Sequence, residues 1–171
     1  MSALLQLTTE HFHTISLFVA NKPGVLLRVC LIFARRAFNI ESLVVSPAFD
    51  GAFSRMTITA SGDRKTLGQI IKQCGKLVDV VHASEHNPAN CVVKEIALIK
   101  IKSNQKNRQE ILHILQHFNG QTLDLSEKSM IIQITGNSEK IDACLELIKK
   151  YDILELVRSG KLAMTRGLEE T

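Results

Sequence analysis

The sequence Asn-Lys-Pro-Gly near the N-terminus has the residue types of an anion-binding helix start. Pro23 suits a first helical turn, because the N–H that it lacks would be unpaired there, and Gly24 lets a ligand approach the backbone closely. The next free N–H groups then point outward, where a carboxylate gains roughly 0.3–1 kcal/mol from the helix dipole. The motif and the two residues after it are Asn21, Lys22, Pro23, Gly24, Val25 and Leu26. They predict either a carboxylate site or an ordinary Pro-Gly helix start without a ligand.

Asn39 is the candidate partner group at the other end of the same predicted helix. Its side-chain and backbone oxygens accept hydrogen bonds, as an ammonium group requires, so the two ends together would suit an amino acid. A helix of about 14 residues separates these ends by roughly 20 Å, which is too far for one small ligand. A second copy of the chain would solve this if it placed its Asn39 beside the first copy's Gly24. The alternative is that Asn39 only ends the helix.

Alternating and helical apolar patterns predict the elements that position these residues. Over residues 12–84 the order is strand, helix, strand, strand, helix, strand, with the first strand in HTISLFVA and the third in SRMTITA. The first helix runs from about Gly24 to Ala37, and the second begins at a cap near Asp63. A turn with Pro and Gly at residues 47–52 joins the two middle strands, and KLVDVVHAS forms the last strand.

The same order of elements returns after the polar segment EHNPANC. FNIESLVVS at residues 38–46 aligns with FNGQTLDLS at 118–126, and each of the four predicted helices has an apolar stripe wide enough to lie on a sheet. The sequence therefore predicts an α+β fold of two ferredoxin-like βαββαβ modules, each a four-stranded antiparallel sheet with two helices on one face. The expected domains are residues 12–86 and residues 92–167.

The first helix differs from the other three because it has a second apolar stripe and a narrow polar side. The stripe predicted to face the core is Leu26, Val29, Cys30 and Phe33. The second stripe, about 110° around the helix, is Leu27, Leu31, Ala34 and Phe38. Only Arg28 and Arg35 mark a line facing solvent. A helix that is apolar nearly all round needs cover on two sides, so the second stripe predicts contact with the second module or an interface between two copies of the chain.

Composition and spacing argue against several other classes of protein. No apolar run approaches the roughly 20 residues of a membrane span, no signal peptide is recognisable, and four cysteines without CxxC spacing predict core thiols, so a cytoplasmic protein is expected. A net charge of +4 that is spread along the chain, with 5% aromatic residues, argues against nucleic-acid binding. Asp50, Asp63 and Asp79 are scattered without a paired carboxylate, which argues against catalysis.

Four histidines form the remaining group of candidate metal ligands. His13 and His82 fall on strands that are neighbours in a ferredoxin-like sheet, with His11 and His86 nearby. A metal site needs three or four ligands, and a pair of imidazoles at the edge of a core is more often packed and hydrogen-bonded. His13 and His82 are therefore only weak candidates, and no metal is expected.

NKPGVLLRV, FNIESLVVSP and SRMTITASGD resemble the ACT domain at the start of the regulatory small subunit of acetolactate synthase (acetohydroxyacid synthase). The resemblance continues through KLVDVVHASE, VKEIALIKI and VRSGKLAMTRG and covers nearly all of residues 12–167. It implies a noncatalytic subunit that activates the catalytic large subunit and confers feedback inhibition by valine or another branched-chain amino acid. No cofactor is expected in this chain, since thiamine diphosphate, Mg and FAD are expected in the large subunit. A free-standing amino-acid sensor of the ACT type is the alternative.

The family's effector loop falls on residues 21–26 of this sequence, and its opposing contact, from the other subunit of a homodimer, falls on Asn39 and Ile40. Small apolar neighbours such as Val25, Leu26 and Ile40 would suit an aliphatic side chain, although one methylene discriminates by only about 1–3 kcal/mol. Lys22 departs from the resemblance, because family members have an acidic or neutral residue there. The second module has SNQKN at residues 103–107 in place of NKPG, so we expect it to keep the fold without the ligand.

Overall fold

The computed structural model describes residues 12–87, 89–168 and 171, which divide into two compact units. One unit runs up to Val92 and includes the segment from Lys161 onward, and the other runs from Val93 to Gly160. His11 and Pro88, which belong to the predicted histidine group and the polar connecting segment, lie outside the described residues. Within the described ranges, no helix is long and apolar enough to cross a membrane.

The predicted order of strands and helices is present twice. In the first unit it is β1 (Phe12–Ala20), α1 (Val25–Ala34), β2 (Asn39–Pro47), β3 (Phe53–Ser61), α2 (Arg64–Cys74) and β4 (Val80–Glu85). The second copy is β5 (Cys91–Lys102), α3 (Arg108–His117), β6 (Gln121–Leu125), β7 (Ser129–Gly136), α4 (Ser138–Ile148) and β8 (Ile153–Arg158). A short 3-10 helix (Lys149–Tyr151) precedes β8, and a further strand, β9 (Leu162–Thr165), follows it.

Both sheets have the antiparallel strand order of a ferredoxin-like fold. The first is ordered β2-β3-β1-β4 and the second β6-β7-β5-β8, with β9 also paired to β5. The central pairing matches the apolar alternation of the sequence, since Ile15 lies opposite Ile58 and Leu17 opposite Met56. These four side chains are buried beneath the helices, because successive residues of a strand point to opposite faces. The predicted fold class is therefore confirmed.

Each unit has its own apolar core between its helices and its sheet. The stripes predicted for α2, α3 and α4 are confirmed, with Leu67, Ile111 and Ile141 fully buried. Cys74 and Cys144 lie in two of these stripes, and burial raises the pKa of both thiols to about 11. All four cysteines of the chain are free thiols, and Cys74, Cys91 and Cys144 are buried as small core residues, whereas Cys30 is only partly buried.

Helix α1 differs from the prediction in both its length and its buried face. It ends at Ala34 rather than at Ala37, because Ala37 adopts a left-handed φ of 52° and the N–H of Phe38 bonds to the carbonyl of Phe33 at 3.1 Å. The buried residues of the helix are Val25, Val29, Ile32 and Phe33. The assignment of Leu26 and Cys30 to the core-facing stripe is therefore wrong, because a helix with few polar residues does not indicate from its sequence which side faces the core.

The second half of the first unit fits the prediction at the start of α2 and differs at β4. Asp63 caps α2 through a hydrogen bond of 2.8 Å from the N–H of Thr66, and hydrogen bonds from the side chain and then the backbone of Thr66 lower the pKa of the Asp63 carboxyl group. Strand β4 begins at Val80 and not at residue 76. The N–H of Val80 bonds to the carbonyl of Leu77 at 3.0 Å, so the residues between them form a turn that leaves Val78 fully exposed.

The face of the first sheet that points away from the helices is also partly covered. The buried polar residues on it are Ser16, Thr57 and Thr59. Arg55 lies on the same face with its guanidinium 5.0 Å from the centre of the Phe18 ring, and it donates a hydrogen bond to the backbone carbonyl of Thr171. The C-terminal segment thus reaches this face, which the alternation of the strands alone assigns to solvent.

The second unit contains a buried ion pair. Arg158 at the end of β8 donates to both carboxylate oxygens of Glu95 on β5, at 2.7 and 3.2 Å, and to Asp142 on α4 at 2.6 Å. The Glu95 side chain is only 4% exposed. Hydrogen bonds to Glu95 and then to Asp142 raise the pKa of the Arg158 guanidinium, so the group stays charged and joins two strands to a helix.

Candidate functional site

The loop at residues 21–24 is held in place by the backbone on both of its sides. The N–H and the side-chain amide of Asn21 donate to the carbonyls of Ala52 and Gly51 in the β2–β3 turn, each at 2.9 Å. On the other side, the N–H of Ala20 donates to the carbonyl of Asp79 at 2.8 Å. The Asn21 amide N–H is therefore used to position the loop, and its side-chain oxygen is the atom left for a ligand.

Gly24 ends this loop and begins α1 in a conformation that favours glycine. Its φ is 83°, and no side chain caps the helix there. In the described part of the chain, no backbone carbonyl accepts a hydrogen bond from the N–H groups of Gly24, Leu26 or Leu27. These groups carry the positive end of the helix dipole, so the arrangement has the donors and the polarity that a carboxylate needs. Lys22 and Pro23 are exposed beside it, whereas the Val25 side chain is buried.

Arg28 contributes a positive charge next to Gly24, which the sequence analysis missed. A Cβ built on Gly24 would lie 3.6 Å from one terminal nitrogen, Nη1, of Arg28. The other terminal nitrogen, Nη2, forms an ion pair with Asp79. Residues four apart on a helix are neighbours on one face, so the spacing of Gly24 and Arg28 was a signal that could have identified this contact.

Asn39 and Ile40 lie beyond the opposite end of α1, at the start of β2. The side-chain amide of Asn39 donates to Glu41 Oε1 at 2.6 Å, and the hydroxyl of Ser61 donates to the same oxygen at 2.9 Å. Asn39 is exposed, and Ile40 is partly buried against the core. Glu41 adds a carboxylate that the sequence analysis did not consider, so this end of the helix has acceptors that suit an ammonium group.

The two candidate groups are not brought together within one copy of the chain. Helix α1 has 10 residues, which makes it about 15 Å long, and the Gly24 loop and Asn39 lie beyond its two ends. The separation is shorter than the sequence suggests, because the helix ends at Ala34, but it is still too large for one small amino acid.

The second apolar stripe of α1 is exposed over most of its length. Leu27 is 63% exposed, Leu31 is 42% exposed and Leu26, at their side, is 39% exposed. Ala34 is also exposed, and we call these four residues the exposed face of α1. Phe38 differs from them, because its ring packs against the core and would clash with any side chain at Gly62.

The equivalent loop of the second unit is closed by its own side chains. The side-chain oxygen of Asn104 accepts from the N–H groups of Lys106 and Asn107 at 2.9 and 3.1 Å, and that of Asn107 accepts from the N–H of Asn104 at 2.8 Å. The first residue of α3, Arg108, donates to the carbonyl of Ser126 at 2.6 Å. Donors near this helix start are thus already paired, unlike those at Gly24.

The predicted approach of His13 and His82 is wrong. Strands β1 and β4 are neighbours, but their register places His82 opposite Phe18, five residues or about 17 Å along β1 from His13. His13 is buried and lies 2.8 Å from Glu85 Oε1 and 3.2 Å from the carbonyl of Gly62. Among the described residues, no group of three or more His, Cys, Asp or Glu side chains is arranged to hold a metal ion.

His86 forms a separate buried cluster. Its Nε2 lies 2.5 Å from Ser16 Oγ on β1, and its Nδ1 lies 3.0 Å from Cys91 Sγ at the start of β5. Burial lowers the pKa of His86, because the charged imidazolium loses solvation. The cluster holds the connecting segment after β4 against the first sheet.

Two family models match this chain, and they follow one another along it. One, described as the AHAS small subunit-like ACT domain, matches residues 15–82, and the other, described as the small subunit of acetolactate synthase, matches residues 94–167. A probable acetolactate synthase small subunit from Methanothermobacter thermautotrophicus is 43% identical over 156 residues, which cover 91% of this chain and 93% of that protein. The acetolactate synthase small subunit of Mycolicibacterium smegmatis is 40% identical over 155 residues, which cover 91% of this chain and 91% of that protein.

A solved structure agrees with these relatives. The crystal structure of the acetolactate synthase small subunit from Thermotoga maritima matches with a TM-score of 0.84 at 40% identity, covering 92% of this chain and 98% of that chain. The fold and these matches define the class of the protein as an ACT domain followed by a second ferredoxin-like module. The chain belongs to the family of acetolactate synthase small subunits, which confirms the resemblance found in the sequence.

Proposed function

We propose that this chain binds branched-chain amino acids and, in response, regulates a catalytic large subunit of acetolactate synthase. In this proposal it activates the large subunit and confers feedback inhibition by valine or a related amino acid. Thiamine diphosphate, Mg and FAD belong to the large subunit, and the complex acts in the cytoplasm. Membership of the small-subunit family supports the enzyme partner, and the unpaired N–H groups at Gly24 support the effector site.

The effector site is formed between two copies of the chain. The effector carboxylate binds the N–H groups after Gly24 of one copy, with residues 21–26 around it, and the ammonium group binds Asn39 of the other copy, next to Ile40. The length of α1 supports this arrangement, because one copy cannot present both groups to a small ligand. Residues 12–86 would then provide effector binding and dimerisation, and residues 92–167 would form a second regulatory domain.

The exposed face of α1 provides the dimer contact in this arrangement. Leu27 and Leu31 are large apolar side chains that are 63% and 42% exposed in their own unit, and Ala34 continues the same stripe. Exposed apolar patches of this kind mark interaction sites, and a two-fold axis through them would place the start of one helix near the end of the other. Phe38 was predicted to belong to the same stripe. Its ring packs against the core of its own unit, so only its backbone can lie at the edge of this contact.

The proposal is tested by titrating the full chain with valine, leucine and isoleucine in a calorimeter. We expect saturable binding of at least one of them with one site per chain, and a change in acetolactate formation when the chain and the amino acid are added to a large subunit. The absence of both effects would refute the regulatory function. Failure of the chain to co-purify with any large subunit, with binding intact, would instead support a free-standing sensor.

Asn39→Ala tests the second half of the site. A hydrogen bond to a charged group contributes about 1.5–3 kcal/mol, so the variant should bind the effector about 10-fold to 150-fold more weakly. Asn119→Ala is the control, because Asn119 occupies the aligned position in the second unit; its φ of 50° favours asparagine over alanine, so the melting temperatures of both variants are measured as well. Equal affinities of the two variants for the effector would show that Asn39 supports the fold and does not bind the effector.

A further inference from the structure

The charge next to Gly24 comes from an arginine whose two terminal nitrogens have different neighbours. Nη2 of Arg28 is paired with the carboxylate of Asp79, whereas Nη1 lies 3.6 Å from the position that a Cβ of Gly24 would occupy. The Arg28 side chain is 46% exposed, and within the described residues its guanidinium forms a hydrogen bond through Nη2 and none through Nη1. The guanidinium is thus fixed along one edge, and its other terminal nitrogen faces the space above the loop.

Asp79 is well suited to hold Arg28 in this position. Its carboxylate is 20% exposed, and its backbone carbonyl accepts the N–H of Ala20, the last residue of β1 before the loop. Arg28 is itself one helical turn from Gly24, with its N–H bonded to the carbonyl of Gly24 at 3.1 Å. The ion pair therefore connects the two sides of the loop and sets the direction of the guanidinium.

We propose that Arg28 binds the carboxylate of the effector and that Asp79 is the positioning residue that directs Arg28 toward it. The inference rests on the proposed effector site and extends it, because the backbone N–H groups and the guanidinium would bind the same carboxylate. A site of this kind selects ligands with a free α-carboxylate over the corresponding amino alcohols. Arginine is preferred over lysine here, because its planar group serves Asp79 and the ligand at once.

The test compares amino acids with amino alcohols on variants of the full chain. Valine, leucine and isoleucine are titrated in parallel with valinol, leucinol and isoleucinol, on the parent chain and on Arg28→Gln. We expect Arg28→Gln to lose about 10-fold to 100-fold in affinity for the amino acid and to change little in affinity for the alcohol, so that the preference for the carboxylate collapses. Arg166→Gln is the control, since Arg166 is an exposed arginine after β9 and lies outside residues 12–86, which form the proposed site.

Two further variants separate charge from structure. Arg28→Lys should keep part of the preference for the carboxylate, because it keeps the charge, and Asp79→Asn should reduce the preference several-fold while leaving the alcohols unaffected. If the melting temperature of Arg28→Gln shows that this variant does not fold, Arg28→Lys takes its place in the comparison of amino acids with alcohols. Equal losses for amino acids and alcohols would show that Arg28 only supports the loop, and affinities equal to those of Arg166→Gln would exclude a contact; either result overturns the inference. Binding of no amino acid by the parent chain would refute the proposed function as well.

Discussion

Gly24→Asp should abolish effector binding without unfolding the protein. Gly24 has a φ of 83°, and a side chain in this left-handed region costs about 1–2 kcal/mol, less for Asp than for most residues. The free energy of unfolding of a typical domain is about 5–15 kcal/mol, so the variant should stay folded. A Cβ has room there, because its nearest neighbour outside the adjacent residues is Arg28 at 3.6 Å.

The loss of affinity follows from charge. The new carboxylate would lie where the effector's carboxylate binds, and two like charges about 4 Å apart repel by about 4 kcal/mol at an effective dielectric constant of 20. This corresponds to a loss of roughly 1000-fold in affinity. Calorimetry on the full chain measures it, and an assay with the large subunit should show activation without inhibition by the amino acid.

Gly24→Asn is the matched control for this experiment. Asn has the same shape as Asp and tolerates the left-handed region, but it carries no charge. We expect it to weaken binding by about 10-fold, as the loss of one hydrogen bond to a charged group would. Equal affinities of the Asp and Asn variants, or full feedback inhibition with Gly24→Asp, would show that the carboxylate does not bind at this helix start.

Three other variants test separate parts of the structure. Leu31→Glu should turn a dimer into a monomer that binds no effector, because a charge would be buried in the contact. The control variant Leu154→Glu, in the second unit, should stay dimeric. Sedimentation at several protein concentrations measures the oligomeric state, and a dimeric Leu31→Glu would refute the interface. The pKa of His86 is lowered in the folded protein, so as the pH falls the unfolded chain binds a proton before the folded chain does. The free energy of unfolding should therefore keep its full value above about pH 6.5 and fall as the pH drops toward the folded pKa. Urea titrations of His86→Gln should not show this pH-dependent loss, and identical pH profiles for the variant and the parent would contradict the explanation. Arg158→Met should cost about 1.5–3 kcal/mol because it removes the charged hydrogen-bond donor of buried Glu95, and a loss under 1 kcal/mol would contradict this account.

The sequence predicts the fold well because the same pattern is present twice. Strand alternation at Ile15 and Leu17 and the helix stripe at Leu67 each give the element one apolar face, which must pack in the core, so the fold class follows from the pattern. The cap at Asp63 is local and is also predictable, since it depends on residues three apart. Helix α1 is predicted less well, because apolar residues surround it and its end depends on Ala37, which adopts a left-handed conformation without being glycine.

The candidate site is only partly predictable because its contacts come from distant parts of the chain. The helix start at Gly24 is visible in the sequence, but the ion pair of Arg28 with Asp79 joins residues 51 positions apart. The separation of His13 and His82 depends on the register of β1 and β4. The apolar alternation alone cannot determine that register, because a shift of two residues leaves the same side chains facing the core. The contacts on the other face of the first sheet are likewise distant in sequence, since Ser16 is hydrogen-bonded to His86, 70 positions away, and Arg55 to Thr171.

The return of the segment from Lys161 to the first unit affects the order in which the protein is completed during synthesis. The residues of the second unit, 93–160, are made between the two parts of the first unit, which at about 5–20 residues per second takes roughly 3–14 s. During this interval the nascent first unit lacks the partner that Arg55 binds in the finished protein. Translation that stops within the second unit would therefore leave the first sheet with an incompletely covered face, which is a surface that chaperones and proteases recognise.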